Sequence, residues 1–217
     1  MKKSGAEPLF DTHPWKKAVN SDNCYDYAMN DFETRRKVKS TPGNRARFDP
    51  YTLNIRSCAA LRRRILADNP KTVYACKDPN KVCRRGYYKI MNFIVPDGTD
   101  FHFYKQVGGV RYKVKTGDTV PKLAAFFRVT PYTIRRLGKL TPGRVITFPA
   151  NLWAHKQGWG AAPIITDAKG RTIRDPRKCS RNYPGLNYSK FCTAFCVKRD
   201  RAVTGNKSLP GLRYLKR

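Results

Sequence analysis

Acidic residues are scarce in this chain. Its 217 residues include 15 Asp and Glu against 45 Lys and Arg, a formal net charge of +30. The positive charges repel one another and destabilise the compact state unless a polyanion lies nearby. Nucleic acid, acidic wall polymer and acidic protein surfaces are all suitable polyanions. Because the basic residues are spread along the chain, they do not indicate sequence-specific reading of DNA bases. A solvated basic surface is the alternative interpretation.

Long apolar runs are also missing. The longest, Ile90–Val95, has six residues and includes Asn92, whereas a membrane-spanning helix needs about 18. We therefore expect no membrane span. The first seven residues are partly basic, but no apolar stretch follows them, so we expect no cleavable secretion signal.

Paired CxxC motifs are absent, although the chain has seven cysteines. The spacings Cys76-x6-Cys83 and Cys192-x3-Cys196 do not favour zinc, the first alternative for such a set, and we expect neither a metal nor a cofactor. An odd count leaves at least one thiol unpaired, and we predict that it is Cys24. Three disulfides, in any of 15 connectivities, would then be drawn from Cys58, Cys76, Cys83, Cys179, Cys192 and Cys196.

Residues 110–149 carry a strand–helix–helix–strand pattern. Tyr112 and Val114 alternate with lysines, which is typical of a short strand, and a turn follows. Asp118 or Thr119 is placed to cap a first helix. Thr130 and Pro131 then begin a second helix, and a Pro-Gly turn leads into a closing strand over 145–149.

This segment resembles a LysM domain, through Tyr-x-Val-x-x-Gly-Asp-Thr at 112–119 and the closing Pro-Gly-x-x-apolar-x-apolar-Pro at 142–149. The resemblance implies binding of N-acetylglucosamine polymers, such as peptidoglycan and chitin, in a shallow groove between the first turn and the loop before the last strand. The chain departs from the family pattern at Pro121 and Gly138. The alternative is a two-helix insert that only packs against the rest of the chain. The implied glycan-binding residues are Thr116, Gly117, Asp118, Thr119, Leu140, Pro142 and Gly143.

The flanking sequence predicts helices followed by strands. A helix begins at Cys24, capped by Asp22 or Asn23, and the dipole at its first turn favours a thiolate. A second helix over 57–66 has Leu61 and Ile65 inward and arginines outward. Strands are predicted over 87–95 and 101–106, and a strand and turn over 152–158.

The order of these elements resembles papain-like hydrolases of the NlpC and CHAP type. It is more closely similar to viral and bacterial proteins with Asn-Cys-Tyr-x-Tyr-Ala (here 23–28), then His-aromatic-Tyr-Lys-Gln (102–106), then Trp-x-His-Lys-x-Gly (153–158). The resemblance implies that Cys24 is a nucleophile, His102 its general base and His155 the group that orients His102. Alternatively, Cys24 is a buried thiol or a disulfide partner and the histidines are hydrogen-bonded strand residues.

The predicted fold class is α+β: a papain-like, NlpC-type helix and antiparallel sheet interrupted by a small βααβ LysM domain. The divisions are an N-terminal arm (1–21), the split papain-like domain (22–109 and 150–198), the LysM domain (110–149) and a basic C-terminal tail (199–217).

Two classes of function follow. The first is a minor capsid or tail protein of a large DNA virus or phage, located in the virion or delivered to the host cell wall. Its partners would be N-acetylglucosamine polymers, other virion proteins and, non-specifically, nucleic acid. The second is an active, LysM-targeted cell-wall amidase or endopeptidase. A purely structural scaffold that binds nucleic acid or acidic capsid proteins is the remaining alternative.

Overall fold

A computed structural model describes residues 1–35, 38–49 and 57–204, and it has an α+β fold with a mostly antiparallel sheet, as predicted. The elements in chain order are β1 (Leu9–Phe10), α1 (Thr12–Trp15), α2 (Cys24–Met29), α3 (Cys58–Asp68), β2 (Val73–Cys76), β3 (Tyr87–Ile94), β4 (Phe101–Lys113), α4 (Val120–Phe127), α5 (Pro131–Arg135), β5 (Val145–Ala154), β6 (Asn182–Tyr183), β7 (Leu186–Asn187) and β8 (Lys190–Lys198). Short 3₁₀ turns lie at Lys16–Ala18 and Pro176–Lys178.

The main sheet has the strand order β1-β4-β3-β8-β2, and β5 pairs with the far half of β4. Strand β1 is parallel to β4, and the remaining pairs are antiparallel. Every residue of β3 is buried, because helices cover one face of the sheet and the segment after β5 covers the other. This double cover explains why β3 is an apolar run and not an alternating strand.

Helices α2 and α3 pack on one face of the sheet. The Ser57 side chain caps α3, and Leu61 and Ile65 are fully buried against the sheet, as the spacing predicted. The prediction that the arginines of this helix point outward was wrong for Arg64, which is 3% exposed. Its guanidinium stacks over the Phe48 ring and donates to the Asp49 carbonyl, contacts that replace water for a buried cation.

Residues 110–149 form the predicted strand, two helices and strand. Thr119 caps α4 and Thr130 caps α5, each followed by a proline in the first turn. The two strands are not separate from the main sheet, however, because they are the far halves of β4 and β5. The register of the β4–β5 pairing shifts between Val107 and Gly109, an irregularity of the kind that a β-bulge produces.

The two ends of the described chain pack against this body. Phe10 pairs with Val110 of β4, and Trp15, in a region predicted to be an arm, is buried. After β8, the Thr204 hydroxyl donates to the carboxylate of Asp31 at 2.8 Å. The rest of the predicted basic tail, 205–217, lies outside the described residues.

Two disulfides join α3 and the loop before β3 to β8: Cys58–Cys192 and Cys83–Cys196. Four of the six predicted cysteines are therefore paired. The other two, Cys76 and Cys179, are free, so the structure has two disulfides and the predicted number of three was wrong. The Cys76 thiol instead donates to the Asp78 carbonyl at 3.0 Å, and the Cys179 thiol to that of Pro176 at 3.2 Å.

Candidate active site

Cys24 is the first residue of α2 and is free, as predicted. Asn23 caps the helix through a capping box with Asp26, in which each side chain accepts from the other residue's backbone amide. The Asn23 amide also donates to the Ser40 carbonyl at 2.7 Å, so the helix start is tied to the 39–41 segment. Cys24 is 6% exposed and lines a cavity of about 540 Å³.

His102 lies on β4 and His155 directly follows β5. Their rings meet edge to face, with 2.8 Å between His102 Nε2 and His155 Nδ1. The Thr166 carbonyl fixes the tautomers, because it only accepts a hydrogen bond and lies 2.9 Å from His155 Nε2. His155 therefore carries its proton on Nε2 and accepts at Nδ1 from His102. His102 Nδ1 is left with a free lone pair.

His102 and Cys24 line the same cavity. The structure thus brings the three residues singled out in the sequence to one site: a thiol and an imidazole on the cavity wall, and a second imidazole behind the first. The unprotonated Nδ1 of His102 is the atom that a general base needs. The Cys24 thiol itself lies 3.8 Å from the Phe101 carbonyl, the neighbour of His102 on β4.

Three residues to which the sequence gave no role also belong to the site. The Tyr188 ring stacks on the His102 ring, with 4.9 Å between centroids, and its hydroxyl donates to Asp100 at 2.8 Å. The Tyr183 hydroxyl lies 3.3 Å from His155 Nε2. Asp100 lies two residues before His102, and Tyr183 and Tyr188 lie shortly before Cys192, so their positions beside the predicted site and disulfide residues were visible in the sequence. Their roles were not, because β8 and the loop before it follow β4 by about 80 residues.

Charge is disfavoured in this site. Burial raises the pKa of the Cys24 thiol, and the nearby Asp100 carboxylate raises it further. Burial likewise lowers the pKa of His102, with His155 as a second cause, and it lowers the pKa of His155 to about 4. The prediction of a thiolate from the helix dipole was therefore wrong, since desolvation outweighs the dipole. The resting pair is a neutral thiol and a neutral imidazole.

The backbone amides of α2 are mostly used by its cap. Asn23 Oδ1 accepts from the amides of Tyr25 at 2.8 Å and Asp26 at 3.2 Å. These two amides are therefore not free to face the cavity. Within the described residues, the Cys24 amide has no protein acceptor, which leaves it as a donor for a developing oxyanion.

Lys156, which follows His155, is also buried close to the site. Its ammonium donates to the carbonyls of Val19 and Gly158. Burial lowers its pKa to about 8. Lys156 thus fastens the 16–19 turn to the loop that carries Trp159, another residue of the cavity wall.

The predicted glycan-binding residues lie on two adjacent surface turns of the two-helix segment. The Val114 amide donates to the Arg144 carbonyl, and the Gly143 amide to the Val114 carbonyl, both at 2.9 Å. This pairing places the turn of Thr116 and Gly117 beside that of Pro142 and Gly143; Leu140 lies in the loop before the second turn.

Two of these residues have structural roles within the turn. The Asp118 carboxylate accepts from the Tyr112 hydroxyl at 2.9 Å and the Lys115 amide at 2.7 Å. The Thr119 side chain caps α4 by accepting from the Lys122 amide. The side chains of Asp118 and Thr119 therefore hold the turn in its conformation through contacts within it.

Among the described residues, no cluster of three or more His, Cys, Asp or Glu side chains is arranged to hold a metal ion. A helix with the length and apolar character to cross a membrane is likewise absent from this part of the chain. Comparison with known proteins found no matching family model, no matching curated protein and no matching solved structure.

Proposed function

We propose that the protein is a cysteine hydrolase of amide bonds that acts on cell-wall peptide and is held at the wall by its two-helix segment. The observation that carries the catalytic part is the 2.8 Å bond between His102 Nε2 and His155 Nδ1 beside the cavity that Cys24 lines. It leaves the lone pair of His102 Nδ1 free to accept a proton. A base oriented by a third group is the arrangement that thiol nucleophiles require.

The reaction follows from these protonation states. As the Cys24 sulfur attacks the amide carbonyl, its proton passes to His102 Nδ1, and His155 stabilises the imidazolium through its Nδ1 lone pair. His102 then returns that proton to the leaving nitrogen as the carbon–nitrogen bond breaks, leaving a thioester on Cys24. Water, deprotonated by His102, attacks the thioester and releases the carboxylic acid and the thiol. The Cys24 amide is placed to donate to the oxyanion in both steps.

The cavity suits a short peptide. It is open to solvent and holds about 540 Å³, within the range of small-ligand sites. Its wall combines aromatic surface from Trp159 and Tyr188 with the charged side chains of Lys39 and Asp100. The Lys39 ammonium lies 5.6 Å from the centre of the Trp159 ring, an arrangement that presents both positive charge and an apolar face to a bound chain.

A Cys24→Ala variant tests the catalytic proposal. The purified full chain is incubated with peptidoglycan, and the release of new amino groups is measured. We expect wild type to release them, Cys24→Ala to release none, and a Cys76→Ala control, which also removes a free thiol, to match wild type. Equal release by wild type and Cys24→Ala, with both folded by circular dichroism, would refute the role of Cys24.

For the two-helix segment we propose binding of N-acetylglucosamine polymers, supported by the pairing of its two turns at Val114, Gly143 and Arg144. The test is retention on chitin and on peptidoglycan in high salt, which screens attraction by the basic surface. A Gly143→Val variant should reduce retention, since Gly143 has φ +88 and a branched side chain is strained there. Retention of wild type that disappears with salt would indicate charge alone.

A structural role in a virus particle is the second candidate, and the buried, uncharged state of the Cys24 thiol is the observation that favours it. In that role the +30 charge would meet nucleic acid or acidic capsid proteins. One result distinguishes the hydrolase from the structural role. Wild type that releases no amino groups from any wall preparation, while still binding glycan in high salt, supports the structural role.

A further inference from the structure

A second cavity, of about 560 Å³, lies where the end of α4 meets the 167–178 segment. The Thr172 hydroxyl donates to the Phe126 carbonyl and fastens these two parts of the chain together. Arg128, the residue that ends α4, adopts φ 55, a left-handed conformation that glycine would take without strain. An arginine here contributes its side chain to the cavity wall.

Basic side chains dominate this wall. Four of them line the cavity together with two carboxylates, so the side chains of the lining carry two more positive than negative charges; the six are Arg128, Arg171, Arg174, Lys178, Asp167 and Asp175.

The carboxylates of Asp167 and Asp175 both accept hydrogen bonds from residues close to them in the chain. Asp167 accepts from the backbone amides of Lys169, Arg171 and Ser180 and from the Arg171 guanidinium at 3.1 Å. Burial alone would raise its pKa, but these hydrogen bonds hold the pKa below its ordinary value, so the group stays ionised.

Asp175 is engaged in the same way. It accepts from the amide and the guanidinium of Arg177, the latter at 2.7 Å. Within the described part of the chain, Arg128, Arg174 and Lys178 have no carboxylate partner. Three cations from two separate segments therefore face one cavity without an anion to match them.

We propose that this cavity binds a phosphate group in its dianionic form, as free phosphate or as the monoester of a small molecule. The three cations without a carboxylate partner among the described residues, Arg128, Arg174 and Lys178, are enough to match the charge of a dianion. Guanidinium groups donate two parallel hydrogen bonds to phosphate oxygens, and a lysine adds a point charge. The bound anion would connect the two-helix segment, through Arg128, to the segment that carries Arg174 and Lys178.

The probes are inorganic phosphate and a sugar phosphate monoester, measured by calorimetry on the full chain in 0.15 M salt. The variant is Arg128→Gln/Arg174→Gln/Lys178→Gln. Its control, Arg62→Gln/Lys71→Gln/Lys190→Gln, removes the same charge from exposed positions elsewhere. We expect wild type and the control to bind phosphate, and the cavity variant to bind at least about tenfold more weakly. Equal weakening in both variants would overturn the proposal, because it would show attraction by net charge.

Two further arms identify the ligand. Because the second pKa of a phosphate monoester is about 6, binding of the sugar phosphate should weaken below that pH, whereas binding of sulfate should not. Tighter binding of the monoester than of free phosphate would identify an ester as the source, and equal binding would identify phosphate itself. Should only an oligonucleotide bind, with the same affinity in both variants, the cavity is not a phosphate site. Thermal melts of both variants verify that they are folded.

Discussion

Replacing His155 tests the logic of the site most directly. In His155→Phe, the buried Nε2 proton of His102 loses its acceptor at 2.8 Å. An unsatisfied buried donor costs about 1–3 kcal/mol of stability. The loss of orientation should reduce kcat/KM by about 10²- to 10⁴-fold: general acid–base catalysis contributes this much, and changing the orienting residue of a catalytic triad costs about 10⁴.

His155→Asn should restore much of the lost activity. An Asn oxygen accepts from His102 Nε2 and so preserves the tautomer that leaves Nδ1 free. Tyr183→Phe is the matched control: it removes a hydroxyl 3.3 Å from the other nitrogen of His155 and leaves the Nδ1 contact intact. We expect this control to retain activity within about tenfold of wild type.

The assays are wall-peptide release, urea unfolding and the ¹⁵N chemical shifts of the His102 ring. The shifts report the Nε2-protonated tautomer directly and need no substrate. If His155→Phe lost stability but kept both the tautomer and the rate, His155 would only fill space. An Asn variant as inactive as the Phe variant would also contradict the orienting role.

Further predictions concern charge, disulfides and packing. Lys105 is fully buried, 3.8 Å from the Tyr27 ring centre, and burial lowers its pKa to about 7. Burial of the charged ammonium destabilises the folded state by about 5 kcal/mol, and contacts with the aromatic rings offset about 2 kcal/mol of this penalty. The full penalty applies below pH 7 and is relieved as the pH rises to about 10, because the buried amine is then neutral. Lys105→Met should therefore be more stable than wild type by about 3 kcal/mol at pH 6 in urea unfolding, with the gap closing at high pH. Cys83→Ser/Cys196→Ser opens a loop of 113 residues and should lose about 2–5 kcal/mol in the same assay. Leu61→Ala, at a fully buried position, should lose about 2–5 kcal/mol. Because the pKa of His102 is lowered by burial, wall-peptide release should persist well below pH 6.5, and an acid limit near 6.5 would contradict a desolvated base.

Local signals predicted the helices α2 to α5 and the strands β3, β4 and β5. Thr130 was recognised as a cap because its hydroxyl directly precedes a proline and an apolar periodic run, and the structure has this cap. The strand 87–95 was predicted from its apolar residues, within one residue of β3.

Long-range relations were harder to predict. The continuity of β4 through residues 101–113 was missed, because Gly108 and Gly109 in its middle are typical of a domain boundary. The glycines instead allow neighbouring backbone to approach β4 closely: a Cβ on Gly109 would lie 3.0 Å from the Phe148 carbonyl oxygen of β5. The neutral state of Cys24 was likewise missed, since desolvation depends on elements distant in the chain.

The position of β8 in the sheet has a consequence for synthesis on the ribosome. This strand pairs with both β2 and β3, yet it begins at residue 190, about 100 residues after β3 ends. Because synthesis proceeds at about 5–20 residues per second, β2 and β3 are made several seconds before β8, the strand that pairs with both. Two unpaired sheet edges and the partner thiols of Cys192 and Cys196 stay open throughout that interval. A nascent chain that stalls before residue 198 is therefore expected to aggregate, because β2 and β3 cannot complete their pairing until the last eighth of the chain has been made.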